Sequence, residues 1–255
     1  MSKHYNLKIG WLIIWAMCLS NIIIGQSELP GSCGEDCIDV KMLDMSAMPD
    51  EPVIQSIKLR FMAFNQPLEG LDSIIHYNMA TLNEAFDSTI IFEYEDSILL
   101  MPKYTETLPE LYANYTNPEK NFEEIYKLSE KGFINVFLMP TVEDTLNGRV
   151  LLGFTPIYSD WFEGFEQVSP RMDNLFISYD GMLKGTTLTH EMGHFLGLAH
   201  PFQLDFQQKK NMGLATEKAI CVNFMNYNCF VDRFTEEQVH LMSFFTEQYR
   251  KYLTK

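Results

Sequence analysis

Positive charge is scarce in this chain. Its 255 residues contain 19 lysines and arginines against 34 aspartates and glutamates, which gives a formal net charge of −15. A surface this acidic disfavours nucleic acid and anionic membranes as partners and suits a soluble secreted protein. Internal repeats and low-complexity tracts are absent too. The length and a hydrophobic content of 46% allow one folded domain with an N-terminal extension.

Long apolar runs are also lacking, and the one near the N-terminus is too short to span a bilayer comfortably. It extends over about 14 residues, Trp11–Ile24, after a basic start at Lys3 and Lys8. This pattern predicts a secretory signal peptide over residues 1–25, and hence an extracellular protein without stable membrane association after cleavage. An uncleaved anchor is the alternative. Residues 26–52 show no clear period and are rich in Gly, Ser, Pro, Asp and Met, as in a linker or short pro-segment.

Cysteine is limited to five residues, of which Cys18 lies in the predicted signal peptide. The four that remain are Cys33, Cys37, Cys221 and Cys229. An even number in an exported chain favours disulfides, and we expect the local pairs Cys33–Cys37 and Cys221–Cys229. Four cysteines nevertheless allow three pairings, and the sequence does not choose among them.

Histidine is rare as well, yet three of the six histidines fall within residues 190–200. This run reads His-Glu-Met-Gly-His-Phe-Leu-Gly-Leu-Ala-His. His190 and His194 are four positions apart, so on a helix they share one face and can bind one Zn²⁺ ion. Gly197 can adopt a positive φ and end the helix, which lets His200 return to the same metal.

Three neutral imidazoles leave the fourth position of a zinc ion open for water, as catalytic zinc requires. Glu191 lies beside the histidines and is placed to act as general base on that water. The plainer interpretation is a core helix with satisfied histidines, but the added glycine and third histidine favour a zinc site. Calcium near Asp232 or the acidic residues 93–96 is possible, but no calcium-loop spacing supports it.

A second motif, Asn223-Phe224-Met225-Asn226-Tyr227, places a methionine about 25 residues beyond the third histidine. A long histidine motif followed by such a turn resembles the metzincin clan of zinc metallopeptidases. This turn is most similar to that of the pappalysin (cytophagalysin) family, and the Pro-Phe pair after the third histidine agrees with that family, although Pro201 itself is more typical of serralysins. The resemblance implies that Met225 forms an apolar floor without binding the metal and that Tyr227 can hydrogen-bond an oxyanion.

The pattern from residue 53 to residue 255 predicts an α/β (α+β) domain, in which a twisted mixed sheet of about five strands packs on helices. The resemblance implies a metzincin-like arrangement: an active-site helix, an N-terminal subdomain over about 53–200 and a smaller, helix-ended C-terminal subdomain over about 201–255. Strands are predicted at Ser56–Phe64, Thr89–Tyr94, Phe133–Met139, Arg149–Tyr158 and Asn174–Tyr179. Helices are predicted at Gly70–Phe86, Glu106–Ala113, Glu119–Lys131, Thr187–Leu196 and Glu236–Tyr252.

One of these strands has a functional interpretation. In metzincins an edge strand above the active site pairs with extended substrate, and the resemblance implies this role for Leu151, Leu152 and Gly153. An edge strand with no such role is the alternative.

Together these features predict a secreted zinc endopeptidase that acts on protein or peptide substrates. Two other classes stay open: a catalytically silent secreted binding protein on the same fold, and a zinc hydrolase with a non-peptide substrate. A thiolate from Cys33 could also occupy the open zinc position and keep the enzyme latent, as the alternative to its disulfide with Cys37.

Overall fold

The computed structural model of the chain describes residues 48–64, 68–95, 98–100, 127–144, 149–155, 173–227 and 230–254. In chain order the elements are β1 (Gln55–Ala63), α1 (Leu71–Ala85), β2 (Ile90–Tyr94), β3 (Leu99–Leu100), β4 (Ile134–Met139), β5 (Val142–Asp144), β6 (Arg149–Leu151), β7 (Gly153–Phe154), β8 (Asn174–Ser178), α2 (Tyr179–Lys184), α3 (Thr187–Phe195), α4 (Phe206–Asn211), α5 (Glu217–Val222) and α6 (Glu236–Tyr249). Short 3-10 turns follow at Pro201–Gln203 and Lys251–Leu253.

In the described part of the chain, six strands form one mixed sheet with the order β2–β1–β4–β8–β7, and β3 also pairs with β1. All pairings are parallel except that of β7, which runs antiparallel to β8 at the edge. Every residue of β4 and β8 is buried, as expected of central strands in a parallel sheet that is covered on both faces. The predicted mixed sheet packed on helices is thus confirmed.

The two faces of the sheet carry separate hydrophobic clusters. The larger one joins alternate side chains of β1 to helices α1 and α3, and its fully buried members include Ile57, Leu59, Ile75, Leu82, Met192 and Phe195. The smaller one lies on the other face and consists of Met62, Phe64, Phe137, Met139, Val142 and Phe176. Each side chain of this size contributes about 1.5–3 kcal/mol when it leaves water, so the larger cluster anchors α3 firmly on the sheet.

The strand predicted at Arg149–Tyr158 is not continuous, and this part of the prediction is wrong. Its first part, β6, pairs antiparallel with β5 in a separate two-stranded sheet, and the main sheet gains only β7. The break falls at Leu152, whose carbonyl accepts hydrogen bonds from the Ser178 backbone nitrogen at 2.8 Å and its hydroxyl at 2.9 Å. These bonds draw the carbonyl towards the start of α2 and bend the chain there. Residues 156–158 lie outside the described residues.

Two helix predictions also change at their ends. Residues 127–131, the described part of the helix predicted at Glu119–Lys131, form turns, while the helix predicted at Glu106–Ala113 lies outside the described residues. Helix α6 ends at Tyr249 and not at Tyr252. Arg250 caps the helix, with its backbone nitrogen donating to the Thr246 carbonyl at 2.8 Å, and its side chain is fully buried.

Several predictions concern residues outside the described ranges. The signal peptide of residues 1–25 and three of the four cysteines, Cys33, Cys37 and Cys229, are among them, so the disulfides stay predictions. Cys221 is described, and its side chain is exposed in α5. Over the ranges that are described, no helix is both long and apolar enough to cross a lipid bilayer.

Candidate metal centre

Helix α3 carries the first three motif residues and ends where the motif needs it to end. Two backbone hydrogen bonds end the helix: the Gly197 nitrogen donates to the His194 carbonyl at 3.0 Å, and the Leu198 nitrogen donates to the Gly193 carbonyl at 2.8 Å. Gly197 has a φ of 97°, a region in which side chains are disfavoured. A Cβ there would also lie 3.0 Å from the ring of Phe245. Glycine at this position therefore lets the chain reverse and bring the third histidine back.

The three histidines converge through their Nε2 atoms. The His200 Nε2 lies 3.1 Å from that of His194 and 3.3 Å from that of His190. Two nitrogens that bind one tetrahedral zinc ion at about 2.05 Å lie about 3.3 Å apart. Both distances from His200 therefore fit a single zinc ion, and the ligand atoms of all three histidines lie within 4.8 Å of one another.

The opposite ring nitrogens fix which tautomer each histidine adopts. The Nδ1 atoms donate to three oxygens: His190 to the Phe224 carbonyl at 2.6 Å, His194 to the Leu198 carbonyl at 2.8 Å, and His200 to Gln203 Oε1 at 3.0 Å. Since these oxygens only accept, each Nδ1 carries the ring proton and each Nε2 presents a lone pair. Three lone pairs that face one another favour a bound cation.

Burial keeps these imidazoles neutral. It lowers the pKa of His194 well below the usual 6.5 and that of His200 to about 4, and the neighbouring histidines act in the same direction. It also lowers the pKa of His190. The neutral imidazole is the form that binds metal, so the cluster is ready for a cation at neutral pH without first losing protons. Among the described residues, these three histidines are the group whose ligand atoms lie close enough to hold a metal ion, within 4.8 Å of one another.

Glu191 is buried beside the cluster and is not one of its ligands. Only 6% of it is exposed, and its Oε2 accepts a hydrogen bond from Thr155 Oγ1 at 2.8 Å. Burial raises the pKa of this carboxyl to about 7, against the opposite effect of the Thr155 hydrogen bond. A carboxyl group with a pKa near neutrality can both accept and return a proton, which suits the predicted base.

The methionine of the turn lies under the same helix. Met225 is fully buried, and a Cβ on Gly193 would lie only 2.4 Å from its sulfur. The turn is held by Asn223, whose Oδ1 accepts from the Met225 nitrogen at 3.0 Å and whose Nδ2 donates to Gln238 Oε1 at 2.6 Å. Phe224 follows Asn223 in the chain, and its carbonyl accepts the hydrogen bond from His190. The methionine turn is therefore hydrogen-bonded directly to one of the predicted zinc ligands.

Tyr227 lies over the outer side of the histidines. Its ring centroid is 4.7 Å from that of His200 and 5.6 Å from that of His190. Burial and the nearby Glu191 charge raise the pKa of its phenol to about 12, so the hydroxyl keeps its proton and can donate a hydrogen bond. The ring of Phe202 stacks on the His200 ring at 4.8 Å and also lies 5.9 Å from the ring of Tyr227.

Of the residues predicted for substrate pairing, only Gly153 lies in the edge strand β7. Leu151 belongs to the hairpin with β5, and Leu152 occupies the bend between the two sheets. Gly153 comes so near to α3 that a Cβ would lie 2.8 Å from Thr187 Cγ2 and 2.7 Å from Glu191 Cγ. The edge strand therefore contacts the helix that carries the predicted ligands and base.

Three supporting groups were not anticipated from the sequence: the Thr155 hydroxyl, the Phe224 carbonyl and the Gln203 amide. Gln203 had a usable signal, because it lies three positions after the third histidine and caps the turn that begins there, with its Oε1 also 2.9 Å from the His200 nitrogen. No sequence pattern pointed to Thr155 or to the Phe224 carbonyl. Each reaches the site through packing across more than 30 positions of sequence.

A family model and several solved structures are similar to parts of this chain. The peptidase M43 family model, described as "Pregnancy-associated plasma protein-A", matches residues 125–218, which include the histidine motif. No curated protein sequence matches the chain. Among solved structures, archaemetzincin from Methanopyrus kandleri is 14% identical with a TM-score of 0.42, over 75% of this chain and 96% of its own. Metalloproteinase-II from Bacteroides fragilis is 13% identical with a TM-score of 0.43, over 80% of this chain and 57% of its own.

Proposed function

We propose that this chain is a metzincin-like zinc metallopeptidase, and more narrowly an exported endopeptidase with Glu191 as general base; the family match over residues 125–218 and the histidine cluster support the proposal. The observation that carries the proposal is the convergence of three Nε2 lone pairs beside a buried carboxylate that is not a ligand. Export is supported by the basic start and short apolar run of residues 1–25 and by the net charge of −15.

His190, His194 and His200 would hold one zinc ion. When bound, zinc supplies a Lewis acid that makes water a nucleophile near neutral pH and polarises the scissile carbonyl. Glu191 takes a proton from the attacking water as the water oxygen bonds to the carbonyl carbon. The same carboxyl then delivers that proton to the leaving nitrogen as the carbon–nitrogen bond breaks, so that Glu191 ends the cycle ionised.

Tyr227 is our candidate for a second catalytic group. Its phenol is protonated at neutral pH and its ring lies against two of the predicted ligands. A hydroxyl in this position can donate to the negative charge that develops on the carbonyl oxygen. We expect Tyr227→Phe to lower kcat by about ten- to a thousandfold with an unchanged unfolding midpoint. A variant with wild-type kcat would remove Tyr227 from the mechanism.

The substrate is proposed to be a peptide segment in extended form. Strand β7 is the last strand of the sheet among the described residues, so one of its sides can hydrogen-bond a further strand. Backbone pairing accepts any sequence that is extended, which suits an endopeptidase. Gly153 lies beside Glu191, so we assign the pairing with substrate to the segment that Gly153 begins, residues 153–155.

The decisive experiment compares the zinc-loaded chain with Glu191→Ala on an unfolded protein substrate and on a peptide library. We expect the variant to bind zinc normally and to lose about a hundred- to ten-thousandfold in turnover, and we expect a chelator to abolish wild-type cleavage. Equal cleavage by the variant would refute the mechanism. Zinc binding without any wild-type cleavage would favour the silent binding protein, and hydrolysis of only non-peptide substrates would favour the third class.

A further inference from the structure

The carboxylate of Glu191 has a neighbour that the zinc chemistry alone does not require. Thr155 follows strand β7 directly, and only 4% of it is exposed. Its Oγ1 lies 2.8 Å from Glu191 Oε2 and 3.1 Å from the Glu191 backbone carbonyl. A hydroxyl has a single proton, and the charged carboxylate oxygen is the stronger acceptor. One of the two carboxylate oxygens is therefore held by a buried donor.

A second residue of the same segment shapes the space around this carboxylate. A Cβ on Gly153 would lie 2.7 Å from Glu191 Cγ and 2.9 Å from Oε1, the oxygen that Thr155 does not hold. Contacts this short do not occur between real side chains, so the segment can approach only because Gly153 has none. The missing side chain of Gly153 thus leaves room for the carboxylate, and the Thr155 hydroxyl holds one of its oxygens there.

We propose that Thr155 is a positioning residue for the general base: its hydroxyl holds Glu191 Oε2 and leaves Oε1 to exchange the proton with water and leaving group. The inference rests on the proposed function, because the orientation of Glu191 matters only if Glu191 is the base. It also connects two tasks, since the segment at 153–155 that we assign to substrate pairing is the one that orients the base. Fixing a reacting group before the reaction begins removes an entropic cost from the barrier.

The test replaces the hydroxyl without changing the shape. Thr155→Val exchanges it for a methyl group, whereas Thr155→Ser keeps it. Thr246→Val is the matched control, because Thr246 is also a buried threonine but its hydroxyl donates within α6, to the Met242 carbonyl at 2.8 Å, and not to Glu191. For each zinc-loaded variant we would measure kcat, KM, zinc content and the unfolding midpoint.

We expect Thr155→Val to lose about ten- to a hundredfold in kcat, with KM and zinc content within about twofold of wild type, and Thr155→Ser to recover most of the loss. Thr246→Val should keep wild-type kcat even if its unfolding midpoint falls.

A kcat for Thr155→Val within about twofold of wild type would overturn the inference, as would serine failing to rescue or valine losing zinc. In each of those cases wild-type cleavage that depends on Glu191 would still stand. A wild-type chain that binds zinc and cleaves nothing would instead remove the proposed function, and the positioning role with it.

Discussion

Replacing Arg250 with methionine should destabilise the fold by about 3–5 kcal/mol, although Arg250 lies outside the candidate active site. Its side chain is fully buried, and its Nη1 donates to Asp173 Oδ1 at 2.6 Å. The guanidinium also lies 3.6 Å from the ring centroid of Phe195, the residue after the second predicted ligand. Tyr252 donates to the same carboxylate oxygen at 2.8 Å. Methionine fills a similar volume but leaves Asp173 as a buried charge without its cation.

The stability lost in Arg250→Met should depend on pH, and the ionisation of Asp173 sets the direction of that dependence. Burial raises the folded-state pKa of Asp173 to about 6, and the charge of Arg250 is the main opposing cause. Without that charge the folded-state pKa rises further. A carboxyl with a raised folded-state pKa stabilises the fold below its unfolded value of about 3.9, and this stabilisation is lost as the pH rises through the folded value. The variant loses more of this stabilisation than the wild type does. The difference in unfolding free energy between wild type and variant should therefore widen between roughly pH 5 and pH 8.

Urea denaturation of the zinc-loaded wild type and variant, followed by circular dichroism, would measure both effects. Lys251→Met is the matched control, because this neighbouring cation is 72% exposed in its pair with Glu247 and should change stability by less than about 1 kcal/mol. The double variant Arg250→Met, Asp173→Asn should recover part of the loss, since no buried charge is left. A loss below about 1 kcal/mol for Arg250→Met, or a deficit that narrows as pH rises, would refute the reasoning.

Three further predictions concern the metal centre. Gly193→Ala should destabilise the chain by about 1–2 kcal/mol in urea titrations, because the steric clash of its Cβ with the sulfur of Met225 costs more than the gain in helix propensity. A variant more stable than wild type would show that Met225 can move aside without cost. Gln203→Ala should weaken zinc binding about ten- to a hundredfold in competition with a chromogenic chelator, because His200 loses its Nδ1 acceptor; equal affinity would contradict that role. Zinc at a hundred times its Kd should stabilise the wild type by about 2.7 kcal/mol and His194→Ala by much less, and equal melting shifts would place the ion elsewhere.

The predictable part of the fold was the part with a local period. Strand β1 and helix α1 were predicted within a few residues of their observed bounds, because side chains alternate on a strand and recur every three to four positions on a helix. The strand at 149–158 failed because the bend at Leu152 depends on Ser178, which lies 26 positions away. No local period records such a contact.

The candidate site divides in the same way. The spacing of His190 and His194 on one helix face, and a glycine at 197 to end that helix, are properties of a single short segment. What holds the ligands and the base in place is not local: the Phe224 carbonyl lies 34 positions from the histidine it binds, and Thr155 lies 36 positions from the carboxylate. A backbone carbonyl can come from any residue type, so no residue pattern could have identified the first of these groups.

The sequence by itself determined which atoms are available to bind zinc and which carboxylate lies next to them, because a helix converts spacing directly into geometry. The tertiary structure alone decided the tautomer of each histidine, the burial that brings the pKa of Glu191 to about 7, and the contact between the edge strand and the base. Those properties depend on which surfaces exclude water and which distant donors reach the site. Both are consequences of packing α3 between the sheet and the methionine turn, and neither is a property of the eleven residues that carry the motif.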